Sequence, residues 1–337
     1  MKSYIREIMA YLPPKVVSND ELDKLNPDWN MKDIALITGV RNRHIAATEE
    51  TPTDLAIICA KKLFAETDVQ TSEIDFVLFN SYTPDFLTPS SACLIQDRLG
   101  IRKSAGALDF NIGCTGFVYG LSIANGLIVS GVAKNILLLT ADTISKRLHN
   151  KDKSTVTLFG DGAAATVISL KENSKQGEIK GFELGTDGSG FDNIIIKNGG
   201  ARYLNPDSLI DYTDQYDNTV NDNCLRMKGS EVFRYFIRTA PEMIKNLLEK
   251  EVLKTDDIDQ VIFHQASKFI MFSVAKKSGF TEDQYYNDME LVGNTVSSTI
   301  PIAMFHAMKK GVVKRGDKLM LASFGGGFSW ASTIVDF

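Results

Sequence analysis

The sequence predicts an α/β fold made of two related halves, and three observations carry that prediction. Stretches of helical periodicity alternate with short β-branched and aromatic runs along the chain, the pattern of sheets covered by helices. Two pairs of segments recur in the same order at nearly one offset. The 337 residues, 44% hydrophobic and 23% charged, can form one large core or two domain-sized ones, and they exclude disordered or fibrous classes.

Taken in order, the elements begin with an amphipathic helix over TDLAIICAKKLFAET (53–67) and a buried strand over IDFVLFN (74–80). A strand AGALDF (105–110) then runs into a glycine-flanked helix, GCTGFVYGLSIANGLIVSG (113–131). GVAK (131–134) precedes the strand ILLLTA (136–141). The stretch GTDGSG (185–190) reads as a surface turn rather than a phosphate cradle, and the aperiodic, Asp- and Asn-rich residues 200–228 as an inserted surface excursion. A helix over 232–251 leads to the strand IDQVIFH (258–264), 184 residues after its first-half counterpart. GVVK (311–314) and KLMLAS (318–323) repeat GVAK and its strand 180 residues on. The expected halves are therefore 1–172 and 173–337.

Composition narrows the function classes. A formal net charge of −5 gives no general field for nucleic acid or anionic lipid, so an anionic partner needs a local basic patch. The start, MKSYIREIMAYLPPK, lacks the apolar core of a signal peptide, and no apolar run approaches the roughly 18 residues a bilayer requires. A cytoplasmic protein with no membrane or nucleic-acid partner is expected. Four cysteines (Cys59, Cys93, Cys114, Cys224) form no CxxC pair, and HExxH, P-loop and GxSxG motifs do not occur, so no metal site is expected.

The repeat turns scattered residues into a constellation. Open α/β sheets place ligands beyond the carboxyl ends of their strands, and His264 sits at such an end. Cys114 opens the glycine-flanked helix, and adding the offset of 180 to its number gives Asn294 in LVGNTVSS. A cysteine at a helix start is activated by aligned N–H groups, Gly113 and Gly116 would let backbone donors approach a carbonyl, and a His–Asn pair can hold a developing enolate. Taken alone, a buried cysteine is more often a small core hydrophobe and a strand-end histidine more often structural; the glycine-flanked turn and the repeat reverse this for Cys114. The glycines of FGGGF (324–328) read as backbone passing close to the same site.

With these residues in place, the sequence resembles the thiolase superfamily, and within it the β-ketoacyl-acyl-carrier-protein synthase III family. The resemblance runs nearly end to end through TGVRNRHIA (38–46), PSSACLIQDRLG (89–100), GCTGF (113–117), LFGDGAAA (158–165), HQAS (264–267), GNTVSSTIP (293–301) and FGGGFSW (324–330). It implies a thiolase-like, duplicated five-layer αβαβα fold, a homodimer and an acyltransferase without metal or redox cofactor, using coenzyme A or acyl-carrier-protein thioesters as substrates. It implies that Cys114 is the acylated nucleophile and that His264 and Asn294 promote malonyl decarboxylation and hold the enolate. The N–H groups of Cys114 and Gly326 would form the oxyanion hole. Arg234, Lys276 and Lys277 would dock an acidic carrier protein, and Lys153 stands where the family has an Arg.

The departures bear on the acyl donor. Asp33 and Ile37 replace the family's Trp and Arg that grip coenzyme A, with Trp29 one turn earlier as a substitute. HQAN has become HQAS at Ser267, Ser230 replaces an Asn, and Phe269 a basic residue. Thr88 replaces a phenylalanine that floors short-chain acyl pockets, which predicts a deeper pocket for a longer or branched chain. Thr88, Lys153, Ser230, Ser267 and Phe324 are thus the candidate substrate-binding residues. The leading expectation is a synthase-III-like decarboxylative Claisen condensation in fatty acid or related biosynthesis. The alternative is a paralogue of secondary metabolism (alkylresorcinol, quinolone or polyketide type) using a longer acyl or β-keto thioester. A hydroxymethylglutaryl-CoA synthase relative would need a glutamate base where only Asp85 is found. A non-catalytic partner subunit would typically have lost the nucleophile, and a cysteine hydrolase would need an acid orienting its histidine.

Overall fold

Alternate residues of each central strand are sorted onto two different apolar layers, and that sorting sets the architecture. The protein is seen in a computed structural model that describes residues 1–173, 177–204 and 209–337. Part of the 200–228 excursion, residues 205–208, therefore lies outside the described residues.

One sheet is built from β1 (Ser3–Tyr11), β2 (Phe76–Asn80), β3 (Gly106–Phe110), β4 (Asn135–Asp142) and β5 (Gly162–Leu170), in the order β1-β5-β4-β2-β3. The other is built from β6 (Glu178–Thr186), β7 (Gln260–Phe263), β8 (Lys318–Gly325) and β9 (Ser329–Asp336), in the order β7-β8-β9-β6. The pairing senses match: β2–β4 and β7–β8 are parallel, while β4–β5, β5–β1, β8–β9 and β9–β6 are antiparallel. The repeated segments IDFVLFN and IDQVIFH therefore occupy equivalent strands.

Helices fill the layers. Leu137 and Leu139 of β4 face outward onto α2 (Pro52–Glu66) and α3 (Ser91–Arg98), in a cluster with Leu55, Leu63 and Ile95. Ile136 and Leu138 face inward, where α4 (Gly116–Val129) and α7 (Thr299–Lys309) are sandwiched between the two sheets with Leu319 and Leu321 of β8. Met320 and Ala322 point the other way, under α5 (Gly229–Glu251) and α6 (Lys268–Ser278). The order α–β–α–β–α follows from period-2 alternation on buried strands. Each fully buried Leu or Ile in these layers contributes about 1.5–3 kcal/mol of apolar transfer energy. α2 begins where expected, with Pro52 in its first turn and a reciprocal cap between Thr51 and Asp54.

The excursion carries short paired segments, Tyr212–Thr213 with Thr219–Val220, and Arg226–Met227 with Ile194–Ile195. Among the described residues no helix is long and apolar enough to cross a membrane, and no cluster of His, Cys, Asp and Glu could hold a metal ion.

Candidate active site

The strand ends and helix starts predicted to converge line one cavity of about 330 Å³, walled by Cys114, His264, Asn294, Phe324 and Gly325. Phe236, Met227, Ile194, Leu158 and Phe159 complete its apolar lining, and Ile37, Phe233 and Phe269 form its mouth. Cys114 and Asn294 are each mounted by a segment from the other sheet's part of the chain. Cys114 is backed by Gly325 at the end of β8, where a Cβ would fall 2.8 Å from the Cys114 Cβ. Asn294 bridges the 158–160 segment, its N–H donating to the Leu158 carbonyl (3.0 Å) and its carbonyl accepting from the Gly160 N–H (3.0 Å).

Cys114 lies one residue before Thr115, the N-cap of α4. It is partly open to the cavity, yet burial, with a smaller contribution from Asp142, pushes its thiol up to about 12. The resting group is therefore a thiol, opposite to the activation expected from the helix start. Gly113 and Gly116 do not serve a substrate carbonyl either: a Cβ there would strike the Tyr82 ring at 2.2 Å and the Asn80 amide at 2.3 Å, respectively. These glycines admit two packed side chains instead. The Thr115 and Ser329 hydroxyls lie 2.8 Å apart and Ser329 donates to the Gly326 carbonyl (3.2 Å), tying the nucleophile turn to the glycine strip.

His264 follows the last residue of β7, its backbone N–H donating to Ala322 of β8 (2.8 Å). Gln265 locks the next turn, donating to the Phe263 carbonyl and accepting from Asp288 N–H. The imidazole is buried, which lowers its pKa to about 3 and keeps it neutral. Its Nδ1 lies 2.7 Å from the Thr299 Oγ1, and Phe324 packs edge-on to the ring at 6.1 Å. Asn294 accepts from the Val296 N–H through Oδ1 (2.9 Å), which leaves its Nδ2 free to donate into the cavity.

Of the other candidates, Ser267 and Ser230 line the cavity. Ser267 also caps α6 by accepting from Ile270 N–H (3.2 Å), and Ser230 lies 2.8 Å from the Tyr216 hydroxyl. The rest fall elsewhere. Lys153 opens a short helix and its neighbour Ser154 takes the cavity wall. Thr88 is exposed on the loop before α3, outside its own chain's cavity, because Pro84–Pro89 runs over the surface rather than into the core. Trp29 turns into a separate polar depression with Met31, Arg41 and Glu290, so it does not stand in at this mouth. Asp33 accepts from the Asn30 side chain at the surface, and of the two family positions on that helix only Ile37 reaches the mouth. Asp85 accepts from Thr51 and Thr53 at the start of α2, a capping role that removes it as a glutamate-like base. Arg234 pairs with Glu231 (2.6 Å) beside the mouth, Lys276 rests over the Phe272 ring on α6, and Lys277 is exposed.

Sequence reasoning missed Asp142, Tyr82 and Thr299. Asp142 ends β4 fully buried and accepts from Tyr82 N–H (2.7 Å), Ser81 Oγ (3.2 Å) and Ser297 Oγ (3.0 Å). Burial raises it to about 7. The signal was present: it is a polar residue ending a buried strand, the criterion that found His264.

Known proteins agree with this construction. Residues 108–188 match the family model for 3-oxoacyl-[acyl-carrier-protein] synthase III, and residues 248–337 match the model for its C-terminal part. A β-ketoacyl-[acyl-carrier-protein] synthase III of Clostridium perfringens is 36% identical over 96% of both chains. A crystal structure of a 3-oxoacyl-(acyl-carrier-protein) synthase III superposes with a TM-score of 0.97 at 43% identity over the full length of both chains. The Aquifex aeolicus enzyme of that name gives 0.86 at 31% identity, covering 99% of this chain and 100% of its own. Full-length identity at this level, on the same arrangement of sheets, leaves one assignment: the chain belongs to the β-ketoacyl-[acyl-carrier-protein] synthase III family.

Proposed function

We propose that this condensing acyltransferase carries out a decarboxylative Claisen condensation in the 330 Å³ cavity, with Cys114, His264 and Asn294 as its catalytic residues. The observation that carries the reading is their convergence on one largely apolar chamber, Cys114 and His264 from strand-to-helix turns and Asn294 from a turn between two helices. Cys114 Sγ attacks the donor thioester, its proton leaves with the departing thiol, and the acyl group stays on sulfur. A malonyl-type thioester then enters and loses CO2, its enolate carbon attacks the acyl-cysteine carbonyl, and the C–S bond breaks to release the β-keto thioester and a Cys114 thiolate that takes a proton from solvent. His264 and the Asn294 Nδ2 hold the enolate oxygen, and the N–H groups of Cys114 and Gly326 hold the oxyanion. The buried thiol at about 12 implies that sulfur gives up its proton only as the donor carbonyl arrives.

The mouth bears on the donor. Ile37 and Phe269 are 59% and 49% exposed there, and Phe269 stacks on Phe233 at 5.3 Å. Arg234, Lys276 and Lys277 lie on the helices that carry these rings. An apolar rim among cations suits the face of an acidic carrier protein better than a bare nucleotide. The same reading makes the protein a cytoplasmic homodimer with halves 1–172 and 173–337. Four free cysteines suit a reducing compartment. The end strand β3 and the exposed Phe86, Leu87 and Thr88 offer a face for a second copy. Thr88 can meet an acyl chain only across such an interface. A secondary-metabolic paralogue would share this geometry and differ in chain length.

The test is intact-protein mass spectrometry with acyl-carrier-protein and acyl-CoA ladders. One acyl adduct is expected, absent in Cys114→Ala, and chains longer than acetyl should label fastest. An adduct surviving in Cys114→Ala would sink the assignment.

A further inference from the structure

The segment between Asn294 and Thr299 is strained and heavily anchored. Val296 holds a left-handed backbone (φ 56°), a strained conformation for a β-branched residue. The turn stays put because Ser297 Oγ donates to the Asp142 carboxyl (3.0 Å) and Ser298 Oγ to the Thr140 carbonyl (2.9 Å), both at the end of β4. Its N-terminal side orients Asn294 through Val296 N–H. Its C-terminal side delivers the Thr299 hydroxyl to His264 Nδ1. One turn thus mounts both members of the pair.

The hydroxyl has one proton and two candidate acceptors: His264 Nδ1 at 2.7 Å and the Val296 carbonyl at 3.1 Å. Two networks fit these contacts: Nδ1–H donating to the hydroxyl, which passes its own proton to the Val296 carbonyl, or the hydroxyl donating to Nδ1. Only the second leaves Nε2 protonated, as a donor to an enolate oxygen beside Asn294 requires, and on that ground the contact is read as Thr299 O–H donating to Nδ1. Nδ1 then carries the lone pair, and the proton of the neutral ring must reside on Nε2.

We propose that Thr299 is a positioning residue that fixes His264 in its Nε2–H tautomer, so that the imidazole and Asn294 Nδ2 offer two N–H donors to one developing oxyanion. Burial, which keeps the ring neutral, makes the tautomer decisive. A neutral ring protonated on Nδ1 would turn a lone pair towards the enolate oxygen and repel it. The device serves the condensing half-reaction and leaves formation of the acyl-cysteine largely alone.

This rests on the proposed roles of His264 and Asn294, and the test separates the two. Four histidines make 15N-histidine NMR of the whole protein tractable, with His264→Gln identifying the signals of interest. The wild type and Thr299→Ser are expected to show the Nε2–H tautomer, and Thr299→Val to move towards Nδ1–H. Thr299→Val should lower condensation kcat about 10- to 100-fold at little-changed KM, while Cys114 acylates at a near-normal rate and Thr299→Ser restores kcat. A wild-type spectrum showing Nδ1–H overturns the proposal, as does a Thr299→Val protein with an unmoved tautomer. Should Thr299→Val fail to fold, the wild-type and Thr299→Ser spectra still decide. The NMR result holds whether or not condensation is the reaction, so loss of the functional reading and loss of this inference are distinguishable.

Discussion

Asn80 and His264 stand at equivalent ends of β2 and β7, and they do opposite things. Asn80 turns inward: Oδ1 accepts from Ile112 N–H (3.1 Å), and its amide is pressed against Gly116 beneath the nucleophile turn. His264 opens onto the cavity. The turns that follow differ in the same way. Cys114 is two residues from its helix, whereas Asn294 is separated from α7 by a strained turn that orients its amide and the His264 ring. Repetition of the fold supplied two sets of strand ends facing one place, and one set became support for the other. Because the Cys114 turn leans on Gly325 and the Asn294 turn on residues 158–160, neither sheet builds the site alone.

The contrast can be broken most sharply at its two poles. His264→Ala is expected to reduce condensation about 100-fold or more, with little change in unfolding free energy. Asn80→Ala should do the reverse, costing about 1–3 kcal/mol in urea unfolding because Ile112 N–H loses its acceptor in a half-buried turn and the packing under Gly116 is lost. Equal stability losses in the two variants would erase the distinction between supporting and reacting strand ends. A smaller effect is expected at the contact between halves. Gly325→Ala puts a methyl 2.8 Å from the Cys114 Cβ, so the Cys114 side chain must shift. Stopped-flow acylation should slow about 10- to 100-fold. An unchanged rate would show that the turn yields without moving sulfur.

Much of this was legible in the sequence, for a physical reason. Buried strands must be apolar throughout, so a polar residue closing one, such as His264, stands out. The 180-residue offset between GVAK and GVVK also gives Asn294 from Cys114 by arithmetic. What failed was anything decided by neighbours distant in the chain. Gly113 and Gly116 read as room for a ligand because nothing local reveals that Tyr82 and Asn80 fill it. The thiol read as activated because the helix start is local and its dry surroundings are not. Trp29 was offered as a substitute for a family residue, and its loop carries it into a separate depression, while Thr88, also taken from the resemblance, lies outside its own chain's cavity. Asp142 was passed over although it meets the criterion that found His264.

Asp142 and His264 give the subtlest prediction, since burial penalises the charged form of each strand-end group with opposite consequences for stability. Burial raises Asp142 from 3.8 to about 7, so between about pH 4 and 7 the folded state holds a proton the unfolded chain has lost. Its contribution is complete below pH 4 and is lost as pH rises to 7. Burial lowers His264 from 6.5 to about 3, so there the unfolded chain holds the extra proton. That contribution is present above pH 6.5 and is lost as pH falls to 3. Over the shared window, about pH 4 to 6.5, the two slopes oppose each other, each up to about 1.4 kcal/mol per unit, and nearly cancel. Removing either group uncovers the other. Relative to wild type, the stability of Asp142→Asn should rise more steeply with pH across that window, and that of His264→Gln should fall. Urea unfolding of the three proteins at pH 4.5, 5.5 and 6.5 reads the slopes directly. Parallel curves for wild type and Asp142→Asn would mean that the donors around Asp142 hold it ionised in spite of its burial, and that the strand end in the first sheet is charged where the second is neutral.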